Sequence, residues 1–135
     1  MSRACLDAGV ISLYYLKDPP EKIIDLMTSI KDGQIVTIVP SIILVEVFKH
    51  LCIAGGKEYA VSCIRSFEFK IHPILIQLTP DLIIEAGLLK CQFRNKLSYN
   101  DSIAIAIALK EKAIFHTTEK NLPKIHNLQI ISYEF

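Results

Sequence analysis

Four acids stand where simple patterning does not expect them: Asp7, Glu46, Asp101 and Glu119. Asp7 ends the apolar opening "RACL" and is followed by a second apolar run. Glu46 is embedded in "IILVEVFKHL", Asp101 closes "SYND" before an Ala-rich apolar stretch, and Glu119 follows "AIFHTT". Each has an ordinary explanation on its own. Asp7 reads as an N-cap for a following helix, and Glu46 as a partner of Lys49 or His50 one helical turn on. Asp101 reads as the acid of a capping box opened by Ser98, and Glu119 as a surface loop acid. Together they could do more. Four converging carboxylates raise one another's pKa, and burial adds to the cost. A divalent cation removes that penalty. An oxygen-only donor set selects a hard cation, Mg²⁺ or Mn²⁺, over zinc. Such ions serve phosphodiester chemistry by activating water and stabilising charge on the leaving oxygen.

Convergence requires elements that carry the acids to one place. Residues 3 to 7 read as a strand, and 12 to 17 and 21 to 31 as helices, the second led in by prolines. "QIVTIVP" reads as a short strand ending at Pro40. Ser41 is then the expected N-cap of a helix closed by Gly55 and Gly56. "KEYAVSCIRSFEF" has helical spacing, "ILIQLT" reads as a strand, and "PDLIIEAGLLKCQFR" as a helix with Pro at its start. "YNDSIAIAIALKEK" reads as helix despite the alternation of "IAIAIAL", because of its Ala content, its acid-and-amide start and its Lys-rich end. "AIFHT" and "LQIISYEF" read as strands.

Strands that are apolar throughout and alternate with helices predict a parallel sheet covered on both faces. The expected fold class is α/β: a three-layer α/β/α sandwich with a central, mostly parallel sheet, formed by residues 1–135 as a single domain. In open parallel sheets, ligands bind beyond the C-terminal edge of the strands, where the strand order reverses. Asp7 and Glu119 follow strands, and Glu46 and Asp101 lie near helix starts. All four can therefore meet at one edge.

Composition narrows the class. Apolar residues make up 51% and charged residues 21% of the 135, a folded composition with room for one core. The formal net charge is +1, so any nucleic-acid contact needs a local basic patch. Cys5, Cys52, Cys63 and Cys91 form no C-x-x-C pair and read as free, buried thiols in a reducing compartment. No run is long enough for a membrane span, and Asp7 interrupts what would be a leader's apolar region. The expectation is a soluble cytoplasmic protein.

The order of these blocks resembles the PIN-domain family, in particular the compact ribonuclease toxins of VapBC-type toxin–antitoxin pairs. "CLDAGVI" resembles the family's first strand and acid, "PSIILVEVFKHL" its helix with an embedded acid, "LSYNDSIAIAIALKEKA" its Asp-led Ala-rich helix, and "IFHTTEKNL" its strand followed by Thr-x-acid. The resemblance implies a Mg²⁺- or Mn²⁺-dependent endoribonuclease. Asp7 and Asp101 would be the main metal ligands, Glu46 and Glu119 would complete the catalytic site, and Thr117 would support it. Water would attack phosphorus in line and leave a 5′-phosphate. It also implies a homodimer and an inhibitory antitoxin partner. Lys49, Arg94, Lys96 and Lys120 lie near the acid blocks and could face RNA phosphates, or could be ordinary solvated cations. His116 reads as a neutral strand-end histidine. Tyr14, Tyr15 and Tyr99 could stack on bases or pack.

Two positions depart from the family pattern. Gly9 stands where Asn, Ser or Thr is common, and Glu119 where Asp is commoner. They support an alternative expectation, a catalytically decayed PIN-like module that binds RNA or a protein partner. A phosphoacceptor signalling domain also carries acids at strand ends. It would need an acidic pair at the first strand and an Asp ending the third, and "CLDAG" and "ILIQLT" supply neither.

Overall fold

Parallel pairing organises the molecule, whose computed structural model describes residues 2–134. In chain order the elements are β1 (Ser2–Leu6), α1 (Ala8–Tyr15), α2 (Glu21–Lys31), β2 (Ile35–Pro40), α3 (Ile43–Gly55) and α4 (Lys57–Ile71). They continue with β3 (Ile74–Ile76), α5 (Pro80–Gln92), α6 (Tyr99–Lys110), β4 (Ile114–Thr117) and β5 (Ile130–Ser132). The sheet order is β3-β2-β1-β4-β5, with every pairing parallel. Chain order reverses at β1, so the switch point lies between β1 and β4.

The two faces of the sheet bury different sets of residues, as a strand's alternation requires. Ala4, Leu6 and Val39 pack with α1 to α4, together with Ile11, Met27, Val47 and Phe67. Cys5, Ile38 and Phe115 face the other way, onto α5, α6 and Ile125. This is the expected three-layer α/β/α sandwich. The Ala-rich segment after Asp101 is helical: Ala104 to Ala108 are all buried. A helix enclosed on all sides needs no amphipathic period, which is why "IAIAIAL" resembled a strand.

Several boundaries differ from expectation, each for a local reason. The first helix starts at Ala8, not near Ser12, because Asp7 caps it directly. Ser41 does not cap α3; Ile42 holds that position without a side-chain bond. Its first turn is instead tightened by i+3 bonds from Leu44 N to Ser41 O and Val45 N to Ile42 O, both 3.2 Å. β3 is shorter than "ILIQLT" because Thr79 turns out of the sheet to cap α5 through Leu82 N. β5 covers only Ile130–Ser132, and the expected strand's last residue, Phe135, lies outside the described residues. Of the cysteines, Cys5 and Cys63 are buried, Cys52 is half-buried and Cys91 is exposed. Among the described residues no helix is long and apolar enough to cross a membrane.

Candidate metal centre

The switch point between β1 and β4 is built by a short set of hydrogen bonds. Asp7 N donates to His116 O over 3.0 Å and extends the β1–β4 ladder by one residue. The Asp7 carboxylate then faces two donors. Oδ1 accepts from Ala8 N at 2.8 Å, the N-cap bond, and Oδ2 accepts from the Thr117 hydroxyl at 3.0 Å. The same Thr117 oxygen accepts from Glu119 N at 3.0 Å. Thr117 thus ties the end of β4 to Asp7 and fixes the turn that presents Glu119.

Asp101 arrives from the opposite layer. Its N donates to Ser98 Oγ at 3.0 Å, and Oδ2 faces Ser98 N at 3.5 Å, which makes the expected capping box. Asp7, Asp101 and Glu119 each bring an oxygen to one place, all three within 4.8 Å of one another. Two are buried and Glu119 is exposed, so the cluster opens to solvent on the Glu119 side. Opposite oxygens around a Mg²⁺ ion are about 4.2 Å apart, given Mg–O distances near 2.1 Å. The cluster has that scale, and its donors are all hard oxygens, so these residues fit a hard divalent cation.

Glu46 stands beside this group with its carboxylate engaged elsewhere. Oε1 accepts from Asn100 Nδ2 at 2.8 Å, and Oε2 lies 3.7 Å from His50 Nε2. His50 Nδ1 is in turn 2.8 Å from the Ser12 hydroxyl. Glu46 therefore makes the His50 contact that sequence spacing allowed, and is also near enough to disturb the other three acids.

The electrostatics record the crowding. Burial pushes the Asp7 carboxyl up to about 6 and Asp101 adds to this, against the Ala8 N–H and the Thr117 hydroxyl; Glu46 also raises it. Asp101 is raised by burial and by Glu46, against its Ser98 bonds. Glu119 is raised by burial, Asp101 and Glu46. Three carboxyls shifted in the same direction mark a site short of positive charge, the condition a cation relieves.

Lys49, Arg94, Lys96 and Lys120 are all exposed, and among the described residues none of them forms an ion pair. Arg94 and Lys96 lie in the turn before α6. That turn is tied by Lys90, which donates to Arg94 O at 2.8 Å and Leu97 O at 2.6 Å. Lys90 also lies over the ring of exposed Tyr99, 5.0 Å from its centre. Tyr14 and Tyr15 pack edge-on against each other. His116 is buried, 2.7 Å from the Tyr133 hydroxyl, and burial lowers its pKa to about 4, so it is neutral near pH 7. Sequence reasoning missed Asn100, Ser12 and Lys90. Only Asn100, adjacent to Asp101, carried a positional signal.

The fold has counterparts among solved structures. VapBC2 from Rickettsia felis, bound to a DNA fragment from its promoter, superposes with TM-score 0.77 at 19% identity, covering 98% of this chain and 99% of that one. The fold is that of a VapC-type PIN domain. Mycobacterium tuberculosis VapC20, described as a sarcin–ricin-loop-cleaving toxin, gives TM-score 0.64 at 16% identity over 82% of this chain and 84% of that one. FitAcB from Neisseria gonorrhoeae gives 0.64 at 15% identity, over 86% of this chain and 87% of that one. No family model and no curated sequence matches the chain. The likeness to the VapC-type fold is therefore one of architecture at low sequence identity.

Proposed function

We propose that the protein is a Mg²⁺- or Mn²⁺-dependent endoribonuclease, the toxin of a toxin–antitoxin pair acting on RNA in the cytoplasm. The observation that carries this reading is the meeting of Asp7, Asp101 and Glu119 within 4.8 Å at the switch point of a VapC-type fold. The fold's neighbours support it: they include a VapBC complex and FitAcB, and one is a sarcin–ricin-loop-cleaving toxin.

Asp7 and Asp101 would hold the cation, with Glu119 as third ligand and Glu46 as an outer acid adding negative charge beside them. The cation would supply a Lewis acid and a water of lowered pKa. Thr117 keeps the Asp7 oxygens aimed by occupying one of them. The exposed cations Arg94, Lys96, Lys49 and Lys120 would neutralise phosphates along the strand. Water would attack phosphorus in line and give up a proton, the bond from phosphorus to the 3′ oxygen would break, and that oxygen would take up a proton to leave as a hydroxyl. The products carry a 5′-phosphate and a 3′-hydroxyl.

A second copy of the chain and an antitoxin are the expected partners. Exposed apolar side chains support such pairing: Val45 and Ile53 on α3, and Ile83, Ile84 and Leu88 on α5.

The test is incubation with an end-labelled structured RNA in Mg²⁺, in Mn²⁺ and in EDTA. Cleavage that needs either cation and yields 5′-phosphate ends is expected. RNA left whole in both cations would favour the non-catalytic module.

A further inference from the structure

Gly9 is the second residue of α1, and a side chain there has no room. An added Cβ would overlap Thr118 Oγ1 outright and lie 3.2 Å from its Cβ and 3.3 Å from its Cγ2. The backbone does not require glycine here, since Gly9 is helical and not among the glycines of positive φ. Glycine inside a helix is unfavourable in itself, so the missing side chain is the feature in use. Thr118 occupies that space. It lies between Thr117, whose hydroxyl bonds Asp7, and Glu119, whose N bonds Thr117.

We propose that Gly9 is a positioning residue: the Thr118 side chain, seated over its bare Cα, fixes the turn 117–119 against α1 and sets the reach of Glu119 toward Asp7 and Asp101. The inference rests on the metal reading above and deepens it. On this view Gly9 is the complement of Thr118, not a lost ligand. Two anchors then hold Glu119: the Thr117 hydrogen bonds on the sheet side and the Thr118 contact on the helix side.

The experiment is a double-mutant cycle of Gly9→Ala and Thr118→Gly, with Gly87→Ala as control, because nothing lies within 4 Å of a Cβ at Gly87. Two quantities are read: the Glu119 amide resonance without metal, and the Mn²⁺ dissociation constant from metal-dependent melting. Gly9→Ala should shift the Glu119 amide and weaken Mn²⁺ binding about tenfold, the scale for loss of an outer partner. In the Thr118→Gly background, Gly9→Ala should have no further effect, and Gly87→Ala should change neither quantity. A Gly9→Ala protein that melts lower yet keeps the parental Glu119 amide and Mn²⁺ affinity would overturn the inference. If Gly9→Ala does not fold, Thr118→Gly alone decides: parental values for both quantities overturn the seat, and a shifted amide with weakened binding supports it. A parent with no Mn²⁺-dependent melting would sink the metal reading instead, and the amide comparison would still decide the seat.

Discussion

Asn100 gives its side-chain amide to the Glu46 carboxylate over 2.8 Å, joining α6 to α3 across 54 positions of sequence. The next residue, Asp101, belongs to the acid cluster. The first turn of α6 therefore supplies one cluster acid and the donor that holds its neighbour. An amide suits this place because it adds a donor without adding charge beside Asp101 and Glu119, both already raised by burial and by neighbouring acids.

Removing that donor should cost activity before stability. Asn100→Ala should lower RNA cleavage about tenfold, as loss of an outer partner typically does. Its metal-free melting temperature should stay within a few degrees of the parent, because Asn100 is only half-buried. Asn100→Asp should cleave less still and melt lower, since it adds a like charge. Cleavage by Asn100→Ala at the parental rate would show that Glu46 needs no holding.

Asp101→Asn separates the cluster's cost from its use. The substitution removes a charge from repelling carboxylates, so the metal-free protein should melt at the parental temperature or above it. Cleavage should fall by more than the roughly 10–100-fold that an outer partner is worth. Calorimetric melting supplies the second readout. At about a hundred times its dissociation constant, Mn²⁺ should add about 2.7 kcal/mol to the parent and little to the variant. Equal cation-dependent gains in the two proteins would remove Asp101 from the ligand set.

The layered fold was legible because its strands are short apolar runs separated by clear helix starts, as at Pro80 and Ser98. Asp7 was legible as an N-cap and Asp101 as the acid of a capping box opened by Ser98, and the structure shows both. What the sequence hides is the orientation of side chains. The spacing in "IILVEVFKHL" allowed the Glu46–His50 contact, but nothing in it tells that Glu46 also turns to Asn100, which comes from another element. The fit of Thr118 over Gly9 is likewise a contact between segments far apart in the chain, and a lone glycine announces only that a side chain is absent.

Self-association should depend on the apolar surface left on α5. Ile83 and Ile84 are more than half exposed, at 54% and 61%. Sedimentation of the parent is expected to give a dimer, and Ile83→Glu together with Ile84→Glu a monomer. Because both side chains already face solvent, the monomer should keep its helical circular dichroism. A parent that sediments as a monomer at micromolar concentration would assign this surface to another partner.

The pH dependence of metal-free stability has two opposing sources. Asp7 is raised from 3.8 to about 6, so the folded state holds its proton more tightly than the unfolded one. Its contribution is complete below pH 3.8 and is lost as pH rises through 6. The shift corresponds to about 3 kcal/mol. His116 is lowered from 6.5 to about 4, so its contribution is present above pH 6.5 and is lost as pH falls through 4. The two nearly overlap in pH and partly cancel in the parent, so the informative quantity is the difference between the parent and Asp7→Asn, in which His116 drops out. In EDTA at pH 8, urea unfolding should find Asp7→Asn the more stable by up to about 3 kcal/mol, less about 1 kcal/mol for the altered bond with Thr117. That advantage should shrink as pH falls from 6 to 4, because the parental carboxyl is by then neutral. Adding Mn²⁺ at pH 8 should reverse the order, since only the parent retains the Asp7 charge that a cation uses. An advantage for Asp7→Asn that stays constant from pH 8 to pH 4 would mean that neither burial nor the neighbouring acids raise the Asp7 carboxyl.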